Sequence, residues 1–150
     1  MKQHYPQLEL DQQLCFALHS TMLSLNKVYR KVLKPLDLTY SQYLVMLVLW
    51  EQDNVTVSAL GERLFLDSAT LTPLLKRLQA KGLINRQRGH ADEREVFITL
   101  SNSADALRHQ AQDIPTQIAC ASQCALPELD ELRQKLISLR NNLRISEPTL

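Results

Sequence analysis

The sequence predicts a mainly α-helical chain with one small β-hairpin, and three observations predict it. Apolar residues recur at steps of three and four from Leu14 to Val32, the eight residues from Tyr43 to Trp50 are apolar without interruption, and two short β-prone runs flank a polar loop at Arg88 to Arg94. With 150 residues, 45% of them apolar and 22% charged, the chain can bury a real core and has the composition of one ordinary globular domain spanning 1–150.

Between Leu8 and Leu33 there is no Gly or Pro, and Leu14, Leu18, Met22, Leu25, Val28 or Tyr29, and Val32 share one face. This predicts a single long amphipathic helix over residues 8–34, ended by Lys34-Pro35. Thr39-Tyr40-Ser41 offers caps for a second helix, which is apolar on every side and therefore belongs in the centre of the core. Asp53-Asn54 breaks it, and Val55-Thr56-Val57 reads as a short strand. Ser58 to Leu64 forms a short helix, Phe65 to Ser68 a turn, and Ala69 to Lys81 a helix stopped by Gly82. Pro73 is harmless there if the regular helix begins near Thr70, which places the proline in the first turn. Leu83 to Gln87 and Glu95 to Thr99 are the hairpin strands, and two further helices cover Ser101–Ala121 and Pro127–Leu143.

Charge is unevenly spread over these elements. From Lys76 to Arg94, six basic residues face two acidic ones, a local +4, whereas the remaining 11 basic and 14 acidic residues sum to −3. A near-neutral chain with its cations concentrated in one segment suits a polyanion. The segment coincides with two short helices separated by a tight turn and followed by a hairpin tipped with arginines. Residues 57–101, within a core spanning 38–101, therefore read as a winged helix-turn-helix for duplex DNA. Ser68, Thr70 and Thr72 place short hydroxyls where base edges can be approached, and Lys76 and Arg77 reach phosphate or guanine. Arg86, Arg88 and Arg94 sit where a wing enters a minor groove. The alternative is a solvated hairpin whose arginines pair with Asp92 and Glu93.

No apolar run is long enough to cross a bilayer, and Met1-Lys2-Gln3-His4 does not lead into a signal-peptide core, so the expectation is a cytoplasmic protein that does not engage membranes. Three cysteines, Cys15, Cys120 and Cys124, are too few for a secreted disulfide framework. In a reducing compartment they are core filler, metal ligands or redox groups. Two cysteines supply only half a zinc shell, and no cofactor or metal is expected.

Gly82-Leu83-Ile84-Asn85-Arg86, then Asp92-Glu93-Arg94, then Ile98-Thr99-Leu100-Ser101 resembles the wing signature of MarR-type transcriptional regulators, in which the aspartate braces the wing. Leu14-Cys15-Phe16-Ala17-Leu18, Leu38-Thr39-Tyr40-Ser41-Gln42-Tyr43-Leu44 and Leu66 to Leu74 resemble the organic-hydroperoxide-sensing OhrR type of that family, in its two-cysteine subgroup. The resemblance runs from Leu10 to Leu139. It implies a repressor that binds a pseudo-palindromic operator as a homodimer, with residues 8–34 and 102–144 interlocking between subunits.

The resemblance also makes Cys15 a redox sensor. Only a thiolate attacks peroxide efficiently, and the sequence neighbours of Cys15 are apolar, so the anion needs outside help. The family implies that help as hydroxyls from Tyr29 and Tyr40. Tyr29 lies 14 positions along the same helix, about 21 Å at 1.5 Å per residue, so only a partner's Tyr29 can meet Cys15, with the two first helices antiparallel. His19 departs from the tyrosine that OhrR-type proteins carry one turn after the cysteine, and is either a charged partner of the thiol or a surface residue. The resemblance further implies that Cys120 of the partner resolves the oxidised Cys15 as an intersubunit disulfide, releasing the operator. Cys124, at i,i+4 from Cys120, reads as a helical neighbour too distant for a local disulfide and as small apolar filler. Two other readings stand beside this one: release by a reversibly bound aromatic ligand, with Cys15 incidental, and a thiol peroxidase, which leaves the wing unexplained.

Overall fold

The computed structural model describes residues 5–146, which divide into two compact units on either side of the Gln112–Asp113 junction. In the first unit, two 3-10 turns, Pro6–Leu8 and Leu10–Gln12, precede helix α1, Leu14–Val32. The expected helix from Leu8 therefore starts six residues late. The Gln13 side-chain amide donates to the carbonyls of Gln7 and Glu9, holding the approach in tight turns, and the first i→i−4 bond is Ala17 to Gln13. No residue of α1 is fully buried, and Leu14, Phe16 and Leu23 are exposed.

A 3-10 turn at Lys34–Leu36 leads to α2, Tyr40–Glu51. Its start is a capping box: Thr39 Oγ1 accepts from the Gln42 amide, and the Gln42 side chain accepts from the Thr39 amide. The helix is central as expected. Tyr43, Val45, Met46, Leu49 and Trp50 are buried, and Leu47 alone of the run from Tyr43 to Trp50 is exposed. Strand β1, Val55–Thr56, precedes α3, Val57–Leu64, and α4, Ser68–Ala80. Thr56 caps α3 by accepting from Ala59, and Asp67 caps α4 by accepting from Thr70 at 2.7 Å.

Strands β2, Ile84–Arg88, and β3, Val96–Leu100, form the hairpin, with Arg86 opposite Ile98. Strand β1 pairs antiparallel with β3, so the sheet has three strands in the order β1-β3-β2. Helix α5, Asn102–Ala111, is pinned to α2 by the Trp50 indole, which donates to the Ala104 carbonyl at 3.2 Å. Leu33, Met46, Leu49, Leu60, Leu71, Leu75, Leu78, Ile84 and Ile98 form the core, drawn from every layer of the winged helix.

The expected helix Ser101–Ala121 is two helices, because α5 ends at Ala111 and α6 runs Ile114–Ser122. Pro115 carries no amide proton to bond Ala111 and fits the first turn of a new helix. The second unit, from Asp113, holds α6 and α7, Leu126–Ser146. Helix α7 has no buried residue, and Leu132, Leu136, Leu143 and Ile145 are exposed on it. Among the described residues no helix is long and apolar enough to cross a membrane.

Candidate functional site

Helix α4 presents one face to the core and one to solvent. Leu71, Leu74, Leu75 and Leu78 are buried, while Ser68, Ala69, Thr70, Pro73, Lys76 and Arg77 are exposed and Thr72 is half-buried. Because α4 begins at Ser68, Pro73 is its sixth residue and lies in the second turn, not the first as expected. The bond it omits is the one to the carbonyl of Ala69, itself an exposed residue. Ala69 and Pro73 thus lie amid the polar candidates, small apolar surfaces of the kind that meets thymine methyl groups. Neither is marked in the sequence by charge or by a side-chain hydrogen-bonding group. At the N-terminus of α4 the backbone amide of Thr70 bonds the exposed Asp67 carboxyl and holds its pKa below the usual value.

The α3–α4 turn is set by Gly61 and Phe65. Phe65 takes a left-handed conformation (φ 57°), the Leu66 amide donates to the Gly61 carbonyl at 3.0 Å, and a Cβ at Gly61 would stand 2.8 Å from the Leu66 carbonyl oxygen. The distal end of α4 is tied down where the Lys81 ammonium bonds the Asp37 carbonyl and, at 3.1 Å, its carboxylate.

At the wing, Asp92 organises the loop: its carboxylate accepts from the Arg94 amide at 2.9 Å and Nε at 3.2 Å, and its carbonyl accepts from the Glu95 amide. The pairing expected of a solvated hairpin is therefore present for Arg94, yet that side chain is 93% exposed. Arg88 belongs to β2 and is exposed. Arg86 is different: it is half-buried, and its Nε is buried without a hydrogen-bond partner, so only part of its guanidinium reaches solvent.

A second constellation lies at the α1–α2 contact. Tyr29 and Tyr40 pack with ring centroids 4.4 Å apart and planes tilted by 36°, and the Tyr43 ring lies 6.0 Å from that of Tyr29. The first two are the residues singled out from the sequence. Tyr43 belongs to the core run in the sequence, where an aromatic inside an apolar stretch carries no separate signal. Burial, reinforced by the neighbouring phenols Tyr40 and Tyr43, pushes Tyr29 up to about 12, and burial also raises Tyr40 and Tyr43. All three are neutral phenols at physiological pH and can donate a proton to an anion without carrying charge themselves.

Cys15 and His19 are exposed one turn apart on α1, with Cys15 in its first turn. Since Cys15 and Tyr29 share one continuous helix, the separation of about 21 Å within a chain stands. Cys120 is exposed near the end of α6, but Cys124 is not its helical neighbour: α6 closes at Ser122, and Gln123 is left-handed. All three cysteines are free thiols. Among the described residues no group of three or more His, Cys, Asp or Glu side chains is placed to hold a metal ion.

The family model described as transcriptional regulator SarA/Rot matches residues 27–111. The chain is 41% identical over 143 residues to the organic hydroperoxide resistance transcriptional regulator of Bacillus subtilis (strain 168), covering 95% of its own length and 97% of that protein. Among solved structures, reduced AbfR bound to DNA is 36% identical over 92% of this chain and 94% of that one, with a TM-score of 0.76. Disulfide-formed AbfR is 38% identical over 89% and 93%, with a TM-score of 0.61; AbfR is a protein of Staphylococcus epidermidis.

Proposed function

This chain belongs to the MarR family of winged-helix transcriptional regulators and is not an enzyme; from that premise we propose that it is an organic-hydroperoxide-responsive repressor that binds a pseudo-palindromic operator as a dimer. Helix α4 enters the major groove with Ser68, Thr70, Thr72, Lys76 and Arg77, and the wing carries Arg88 and Arg94 to the backbone or minor groove. Asp92 sets the loop that presents Arg94. Arg86, half-buried in the middle of β2, contributes its outer edge.

The observation that carries the sensing half is the pairing of Tyr29 with Tyr40 at 4.4 Å, eleven positions apart in sequence. Two neutral phenols on one patch can hydrogen-bond a thiolate, and the partner's first helix, running antiparallel, brings its own Cys15 to that patch. The exposed apolar residues of α1 and α7 suit interlocking between subunits. An organic hydroperoxide then transfers its terminal oxygen to Cys15, forming a sulfenic acid and an alcohol. Cys120 of the partner subunit condenses with that sulfenic acid, forming the S–S bond and releasing water. The cross-link repositions the recognition helices, whose spacing must match successive major grooves about 34 Å apart, and the operator is released. His19, exposed one turn from Cys15, is available to take or give the proton at the sulfur.

Operator binding by the Cys15→Ser protein, measured with and without an organic hydroperoxide such as cumene hydroperoxide, tests this reading. The variant is expected to bind DNA as tightly as the parent and to stay bound after oxidant. Normal release of the variant would sink the proposal and favour a reversibly bound ligand.

A further inference from the structure

On a regular helix Cys120 and Cys124 would have Cβ atoms about 5–6 Å apart, too far for a disulfide, which needs about 3.8 Å. The chain does not stay helical between them. Helix α6 closes at Ser122, the left-handed Gln123 (φ 54°) returns its amide to the Cys120 carbonyl at 3.2 Å, and Cys124 is the first residue beyond that turn. Ser122 holds the turn together: its hydroxyl donates to the Ala119 carbonyl at 2.6 Å and accepts the Cys124 amide at 3.2 Å. The Cys124 thiol donates to the Ser122 carbonyl at 3.3 Å. Both cysteines are exposed, and both line one shallow depression with Pro115, Thr116, Ala119 and Leu126. The helical geometry that would separate the two sulfurs ends before Cys124.

We propose that Cys120 and Cys124 are a reversible intrachain dithiol pair, and that Cys124 relieves the intersubunit Cys15–Cys120 bond by thiol–disulfide exchange. The second half rests on the function proposed above. In the exchange, the Cys124 thiolate attacks Cys120 Sγ, the Cys120–Cys124 bond forms, the Cys15–Cys120 bond breaks, and Cys15 leaves as a thiolate. No further oxidant or reductant is consumed, because the oxidising equivalent supplied by the hydroperoxide only moves. Both sulfurs are exposed, so the product is open to attack by a cellular thiol, which returns the pair to the reduced state. The pair would thus clear the covalent dimer and return Cys15 to its sensing state.

Two measurements on the full chain test the two halves separately. The Cys15→Ser protein is equilibrated in a glutathione redox buffer and peptide-mapped without reduction. A Cys120–Cys124 linkage within one chain is expected, and glutathione adducts on both cysteines without that linkage would overturn the pair. The parent and the Cys124→Ser protein are then pulsed with cumene hydroperoxide and followed by non-reducing electrophoresis. The covalent dimer is expected to rise and decay to an oxidised monomer in the parent and to persist in Cys124→Ser. Equal persistence in both overturns the exchange. Absence of any covalent dimer in either protein, with the pair forming in Cys15→Ser, overturns the exchange and the Cys15–Cys120 reading while leaving the pair in place.

Discussion

Tyr29 keeps its proton well past the pH at which an ordinary phenol loses it, because burial and the adjoining Tyr40 and Tyr43 oppose a phenolate. In the unfolded chain the same group titrates at its ordinary value of 10.0, against about 12 in the folded protein. Between those two values the unfolded chain gives up the proton first. The stability associated with the neutral phenol is therefore complete below the lower value and is lost as pH rises through the higher one. The raised pKa values of Tyr40 and Tyr43 act in the same direction. Urea unfolding as a function of alkaline pH should show a midpoint that declines across this window, with a smaller decline in Tyr29→Phe; an unchanged decline would mean that Tyr29 is not the buried phenol. Tyr29 and Tyr40 were legible in the sequence through the family resemblance alone. Nothing in spacing marks two tyrosines eleven positions apart as neighbours, since their contact is made where α1 turns through Lys34–Leu36 into α2.

The secondary structure was legible wherever the signal was local. Periodicity placed the apolar face of α1, the apolar run placed α2 at the centre, and Gly82, with φ 72°, stops α4 as a left-handed cap should. Boundaries that depend on side chains bonding backbone were not legible. The start of α1 at Leu14 rests on the amide of Gln13, and the start of α4 at Ser68 rests on the carboxylate of Asp67. The break before α6 is marked in the sequence by Pro115, within a run that is otherwise compatible with one continuous helix. Gly61 gave no local signal either, because its importance comes from the carbonyl of Leu66 folding back over it. Gly61→Ala should therefore loosen the α3–α4 turn, at a cost of about 1–3 kcal/mol for a forced backbone shift in a packed site. Denaturant unfolding checks this. A variant as stable as the parent would show that the turn can open without penalty. Operator affinity should fall alongside stability, since this turn aims α4.

For the whole molecule, net charge says little and its placement says a great deal. A chain of net charge +1 sets six of its 17 Lys and Arg residues against two acidic ones between Lys76 and Arg94, and the relatives it resembles include a regulator solved on DNA. The winged-helix fold was therefore readable; among its candidate contacts Arg86 is partly withdrawn into the sheet, and Ala69 and Pro73 share the exposed face of α4. The least legible part was the turn between Cys120 and Cys124. The i,i+4 spacing suggested a helix face, and the chain leaves the helix at Gln123.

The distance along α1 between Cys15 and Tyr29 can also be stated in the language of alleles. If each sensing site takes its cysteine from one chain and its phenols from the other, two different loss-of-function variants should rescue one another. Chains bearing Cys15→Ser retain the tyrosines, and chains bearing Tyr29→Phe with Tyr40→Phe retain the cysteine. Each homodimer should fail to respond to hydroperoxide, whereas the mixed dimer regains one complete site. Co-expression of differently tagged chains, isolation of the mixed species and assay of its release from DNA would read the rescue directly. A mixed dimer as unresponsive as its parents would count against a shared site. Where rescue occurs, a cell carrying both defective copies would sense peroxide although neither product can do so alone.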